Sequence, residues 1–542
     1  MVRRLLRRRH RRRLVGRARA YDRLAVVGEL GRVRGVRALM MNTRLSETPG
    51  WAGRLGGGIN DGTAELATRQ FLNVRLGGSR LNKALLDSLA SGLPLIYPLP
   101  RVWQRAVEQQ GFAVARWSCT ASWGGFLLLA WGYGVWTALR TVASDLRRTS
   151  VRPPRPPYAY FDRLTNANLP RASADGRSFD ILSWYAAWPG RHPAVTEAVH
   201  SVRDEVTAPV GALRVRYAPS AVPGPPRTSA VARFAARSAA AAVRALATAL
   251  TGRWAGALML AESVMGERTA LAEPDDLARE YLFHNSVHVY RPLWTYVAER
   301  RGCSIVFYFY SLSEQFLLPS GYADDRDEWG AMSWPRYLVW DQGQAELVRR
   351  AVGDTPSVQV VGPIAFEDRH QPLQTVREPA VAVFDVQPHR RSLHFGFSTM
   401  NDLYPRHHHI ACRFNEEVLD AAQAAGFAVL HKRKRSVGAW VHPKYSRTID
   451  RLAERGGFVE VDPGVAAVRI IEQSSAVISA PFTSTGVLAK SVGKPSVFYD
   501  PLGVIDPDDR GRHDVPILRG RQELAEWLSM IDTARNSTPP RE

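Results

Sequence analysis

From residue 158 onward, short apolar runs alternate with amphipathic stretches. Runs at 158–161, 181–185, 213–217, 304–310, 337–340 and 358–361 read as buried strands. The first of them ends at an acid, Asp162, and the 258–261 run leads into Glu262, which puts both carboxylates at predicted strand ends. Between the runs, 230–250 is an alanine-rich helix with Arg233, Arg237 and Arg244 roughly on one side. Tyr290-Arg291-Pro292 opens a helix to Arg301, and another follows Asp341 through Arg350. A second series begins at residue 380, with strands at 380–386, 427–431, 458–461, 476–478 and 496–499 and helices at 414–426, 465–472 and 487–492. Strands that alternate with helices imply parallel sheets covered on both faces.

The 472–500 stretch carries the most chemistry. Pro481 stops a strand, because proline has no donor for a sheet ladder. Thr483, Ser484 and Thr485 then stand where a helix begins, and a helix N-terminus attracts anions through its unpaired amides and its dipole. Gly493 ends that helix, with Pro495 beyond it. An ordinary Ser or Thr cap is the plain alternative. In open parallel sheets ligands bind beyond the carboxyl ends of the strands. Four polar tips therefore converge: Gln387-Pro388, residues 432–435, His442-Pro443 and residues 483–485. Lys432 and Arg433 can supply charge to a phosphate, and Ser484 and Thr485 can supply hydrogen bonds. Asp325/Asp327 and Asp506/Asp508 have a metal-pair spacing but sit in polar stretches that read as solvated loops. Adjacent His407, His408 and His409 cannot all face one ion, so a solvated loop is expected there too. Neither a cofactor nor an essential divalent cation is expected.

The words Pro481-Phe482-Thr483-Ser484 and Gly493-Lys494-Pro495 resemble the bacterial PFTS-motif polysaccharide biosynthesis proteins, and more broadly the donor half of two-domain (GT-B) glycosyltransferases. The resemblance runs over roughly 158–500 and implies an α/β fold of two Rossmann-like lobes with an N-terminal, partly hydrophobic extension. It implies transfer of a sugar from a nucleotide sugar to a surface polysaccharide or glycolipid. His442-Pro443 with the later Ser/Thr pair also resembles bacterial sialyl and Kdo transferases, which use CMP-activated acidic sugars. On that resemblance His442 would contact the CMP phosphate, Ser484 and Thr485 would bind it from the helix end, and Gln387-Pro388 would fit loosely beside them. His442 as a plain turn residue stays open. An inverting transfer needs a general base from the first half; Glu262, Asp162 and His284 are the candidates, each weighed against a structural polar role. A non-catalytic sugar-nucleotide or polysaccharide binder, or a GT-B-like epimerase, remains the alternative function.

Length and charge add organisation. The 542 residues exceed one core. The expected division is a basic tail at 1–20, an extension at 21–150, a proline-rich linker at 151–157, an acceptor lobe at 158–365, a connection at 366–379, a nucleotide lobe at 380–520 and a helix with tail at 521–542. Three scattered cysteines suggest no disulfide framework. The net charge of +21 is mostly arginine, and ten arginines with no acid fall in the first twenty residues. Such a block suits an anionic membrane surface or is inert. Nucleic acid is not expected as a partner, because no recognition module accompanies it. Residues 117–139 lack charge and are flanked by Arg116 and Arg140, which allows a membrane hairpin, a buried core helix or a single span. A peripheral position at the inner face of the cell membrane is expected.

Overall fold

The computed structural model describes residues 29–45, 59–147, 157–170, 177–203, 209–224, 228–287, 289–312, 329–368, 373, 379–389, 407–433 and 441–537. The basic tail, nearly all of the proline-rich linker, Asp325 with Asp327, Lys434 with Arg435 and most of the 366–379 connection lie outside the described residues.

Two parallel sheets form the protein. The first contains β1 (Tyr158–Phe161), β2 (Glu197–His200), β3 (Arg214–Tyr217), β4 (Glu280–His284), β5 (Ser304–Tyr308), β6 (Arg336–Val339) and β7 (Ser357–Val360), in the order β3-β2-β1-β4-β5-β6-β7. The second contains β8 (Ala380–Phe384), β9 (Ala428–Lys432), β10 (Phe458–Val461), β11 (Ala476–Ser479), β12 (Ser496–Asp500) and β13 (Ile517–Arg519), in the order β10-β9-β8-β11-β12-β13. Every pairing between these strands is parallel. Both sheets therefore reverse direction beside their first strand, between β1 and β4 and between β8 and β11. These are two Rossmann-like lobes, and each has a crevice at its reversal point.

The central strands are apolar throughout because helices cover both faces. β1, β8 and β11 are buried at every position. The polar exceptions have partners. Glu280 in β4 accepts from the Tyr185 hydroxyl and from the His192 amide at 3.2 Å, and Arg336 lies 3.6 Å away.

Several expectations need correction. Residues 181–185 are not a strand but the start of the helix Ile181–Ala187. Asp180 caps it by accepting from Leu182 N and Ser183 N at 2.9 and 3.0 Å, which settles the short apolar run as helix. Glu262 does not end a strand; it lies in the first turn of the helix Leu260–Leu271. His407, His408 and His409 do not form a solvated loop, since they open the helix His408–Ala424 with His407 as its cap residue.

The extension is helical: Leu30–Asn42, Asp61–Leu76, Ser79–Ser91, Arg101–Gln109 and Arg116–Leu146. The last is one unbroken helix of 31 residues, so a hairpin at 117–139 is excluded. It is no buried core helix either. Trp117 is 91% and Leu129 75% exposed, and Leu128, Tyr133, Trp136 and Leu139 are exposed with them. By length and composition it is apolar enough to cross a membrane. Its inner side is fastened firmly. A Cβ on Gly134 would come within 2.7 Å of the Leu260 side chain, so only glycine lets the two helices approach this closely. Trp131 Nε1 donates to Ala242 O at 2.9 Å, on the helix Thr228–Leu250. Arg268 and Asp145 form a buried ion pair at 2.8 Å.

Candidate functional site

At the first reversal point, β1 delivers Asp162 and β4 delivers His284. Asp162 N donates to Leu282 O at 3.0 Å, which extends the ladder one residue beyond β1 and fixes the carboxylate beside the end of β4. The next residue, Arg163, has φ of +51°, a left-handed backbone that side-chain-bearing residues rarely adopt. Its Nε sits 3.5 Å from Asp162 Oδ2. Burial pushes the Asp162 carboxyl up to about 6; Arg163 pulls it down and the nearby Glu262 charge adds to the rise. The side chain nevertheless keeps 22% of its exposure. Burial also raises Glu262, against Tyr290, the Leu293 amide, Arg75 and Arg163. Glu262 Oε2 accepts from Leu293 N at 3.3 Å. His284 is 5% exposed, and neither ring nitrogen has a hydrogen-bond partner of good geometry. Burial lowers it to about 4. Its ring lies among Tyr308, Tyr310 and Phe366, and Tyr310 and Phe366 stack at 3.9 Å. The three base candidates are thus neighbours in one recess.

The 481–486 turn is built from four distinct roles. Pro481 ends β11. Phe482 is buried in a cluster that also holds Leu312 and Trp340 of the first lobe, so it anchors one lobe on the other. Thr483 Oγ1 donates to Ala480 O at 2.9 Å. Its proton being committed, Thr483 accepts from Thr485 Oγ1 at 3.2 Å, and Thr485 in turn accepts from Ser479 Oγ at 3.0 Å. That relay uses the threonine protons internally. Ser484 differs: its Oγ accepts from Leu312 N of the first lobe at 3.1 Å, and its own proton remains to be donated. Leu312 is itself held at the carboxyl edge of the first sheet. Gln344 Nε2 donates to Leu312 O at 2.7 Å, and Asn285 Nδ2, next to His284, donates to Ser311 Oγ at 2.8 Å. The turn therefore faces the Asp162 and His284 edge across the interlobe cleft. It opens the helix Ser484–Ser491, whose first amides have no intrahelical acceptor. Gly486 lets that helix lie close to β12, since a Cβ would meet the Phe498 ring at 2.8 Å. His513 Nδ1 to Asp341 Oδ2 at 2.8 Å and Arg469 Nη2 to Asp368 Oδ2 at 3.1 Å tie the lobes further.

The other tips of the second lobe partly join this group. His442 N donates to Pro388 O at 2.9 Å, and His389 bridges to Val441, so Gln387-Pro388 and His442-Pro443 lie side by side. His442 caps the helix Pro443–Glu454, its Nδ1 accepting from Lys444 N at 3.2 Å. Its ring stacks on His408 at 3.8 Å and 9°. Burial, then the charges of His442, His409, Lys444 and His407, depress His408 to about 4. Lys432 ends β9 and is half-buried. Arg433 is paired with Glu460 of β10, on the side away from the reversal point, so its charge is already offset. Among the described residues no group of three His, Cys, Asp or Glu side chains could hold a metal ion. Sequence reasoning missed His408, Asn285, Leu312 and Asp385 at this edge. The apolar-then-acid ending of 380–385, the same pattern that pointed to Asp162, was the available signal for Asp385.

The family model for polysaccharide biosynthesis PFTS motif proteins matches residues 242–528. No curated protein matches the chain. Among solved structures, one of the wall teichoic acid polymerase TagF aligns at 12% identity with a TM-score of 0.36, covering 74% of this chain and 89% of that one. A second TagF structure aligns at 10% identity with a TM-score of 0.35, covering 75% and 91%. Overlap this loose bears on neither activity nor ligand. The family match is of another order: it extends over more than half the chain, takes in both sides of the interlobe cleft and contains the 481–484 turn, so this protein belongs to the polysaccharide biosynthesis PFTS motif family.

Proposed function

We propose that the chain is a metal-independent, inverting glycosyltransferase. It moves a sugar from a nucleotide donor, first among them a CMP-activated acidic sugar, to a surface polysaccharide or glycolipid acceptor. The 3.1 Å contact between Leu312 N and Ser484 Oγ carries this reading, because it sets a phosphate-type turn opposite a carboxylate recess. Ser484 donates its free proton to a phosphoryl oxygen, and the first amides of its helix add to the grip. The leaving phosphate's charge is offset by these fixed dipoles. His442 stands next to the same lobe edge.

Asp162 is the base we favour. The acceptor hydroxyl attacks the anomeric carbon while the bond to phosphate breaks, and Asp162 takes the hydroxyl proton. A carboxyl near 6 with partial exposure suits that task. Glu262 holds the Leu293 amide, and its charge raises Asp162. His284 is too deeply buried to meet an acceptor directly. The exposed apolar side of Arg116–Leu146 and the basic first twenty residues support residence at the inner membrane face.

The test is thermal-shift titration with CMP, UDP and GDP, followed by turnover assays with the matching sugar donors. Ser484→Ala should weaken nucleotide binding by about 10- to 100-fold, the worth of a hydrogen bond to a charged group. Unchanged affinity would remove the turn from the site. Binding without hydrolysis or transfer would make the protein a sugar-nucleotide carrier instead.

A further inference from the structure

At the second lobe's reversal point lies a slot of about 250 Å3 that none of the roles above uses. Its walls are Ile410 and Phe414 of the helix His408–Ala424, Pro481 of the turn, and Tyr499 and Pro501 after β12. Its one charged lining residue is Asp385, 3% exposed, just after β8. One carboxylate oxygen is fully engaged. Oδ2 accepts from Asn415 Nδ2 at 2.9 Å and Tyr445 OH at 2.5 Å, with His431 Nε2 at 3.2 Å. The other, Oδ1, is buried with no hydrogen-bond partner, and so is Asn415 Oδ1 beside it. Both orphan atoms are acceptors. Burial alone would favour a protonated carboxyl, but His431, Tyr445 and Asn415 outweigh it and hold Asp385 below the usual carboxylate range. The group is therefore an ionised, rigidly aimed acceptor with nothing to accept, and such an atom is costly to bury. Apolar walls around a single polar group are the common make-up of a small-molecule subsite.

We infer that Asp385 Oδ1 receives a hydrogen bond from the nucleoside part of the bound donor, through a base N–H or a ribose hydroxyl. This rests on the nucleotide reading given above. The slot adjoins the turn that would hold the phosphate, since Ala480 and Pro481 line it. An ionised carboxylate accepts only, so it admits an amine or hydroxyl and repels a carbonyl oxygen at the same position. Asp385 thereby selects the nucleoside, whereas Ser484 grips any phosphate. A buried water could also fill Oδ1, and the experiment separates the two.

The full-length protein is titrated calorimetrically with CMP, UMP and GMP. The best binder is then compared with two analogues, one with its base N–H groups methylated and one with a dideoxyribose. One analogue should bind about 10- to 100-fold more weakly, the range of a hydrogen bond to a charged group. Asp385→Asn should bind parent and analogue alike. If neither analogue loses affinity to the unaltered protein, only a water occupies Oδ1 and the inference falls, whether or not the variant folds. Retained discrimination by Asp385→Asn overturns it as well. Failure of every nucleotide to bind the unaltered protein overturns the nucleotide reading and this inference together.

Discussion

Asp162→Asn should make the protein less active and more stable at once. The carboxyl rises from an ordinary value of 3.8 to about 6 on folding. A group raised in this way contributes stability that is complete below the unfolded value. That stability disappears as pH climbs through the folded one. Above pH 7 the native state thus holds a carboxylate that would be better solvated in the unfolded chain. A rise of roughly two units corresponds to about 3 kcal/mol at most; the 22% exposure of the side chain argues for about 1–2 kcal/mol in practice. An amide of the same shape carries no such penalty. Melting at pH 8 should therefore shift upward by about 2–4 °C in Asp162→Asn. At pH 4 or below, where the native carboxyl is already neutral, the shift should vanish. Transfer should fall by about 10²–10⁴, the usual contribution of a general base. In the unaltered enzyme, kcat/KM should rise with pH and level off above about 6. Differential scanning fluorimetry at both pH values, together with a donor-turnover assay, reads all of these. Equal melting shifts at pH 4 and pH 8 would refute the buried-carboxylate argument, and retained turnover would refute the assignment of the base.

Three further outcomes are expected. His442→Ala removes both a helix cap and the ring stacked on His408, so nucleotide affinity should drop while the fold persists. The His408 titration, followed by NMR, should move from about 4 toward its ordinary value. Arg268→Ala leaves Asp145 as a buried charge without its cation, and denaturant unfolding should show a loss of about 3–5 kcal/mol. Deleting residues 1–20 should weaken sedimentation with anionic liposomes at low salt and matter little at high salt; identical sedimentation at both would free the tail from any lipid role.

The donor lobe was largely legible because its strands are continuous apolar runs closed by Pro or Gly, as at 476–481 and 493–495. The first lobe was less so, because its elements depend on distant partners. β2 reads Glu-Ala-Val-His and offers no apolar run, yet Glu197 is buried through Arg216 at 3.0 Å and His200 is wholly buried. β4 carries Glu280 at one end and His284 at the other for the same reason. In the opposite direction, the apolar run at 258–261 belongs to helices packed under Arg116–Leu146, and this carried Glu262 away from its expected strand end while leaving it near Asp162. The clustering of Asp162, Glu262 and His284 follows from strand order, which spacing along a chain does not encode. Nor does the 481–484 word reveal that its threonines serve the scaffold and its serine faces the other lobe.

That serine ties two events together. Ser484 Oγ takes its hydrogen bond from an amide of the first lobe and offers its proton toward the cleft. Parting the lobes would leave the Leu312 amide unsatisfied and set the hydroxyl turning, so an ion held by Ser484 favours the closed arrangement, and closure favours the ion by the same free energy. The protein would then register an occupied donor seat as a change in hinge angle, with no separate lid required.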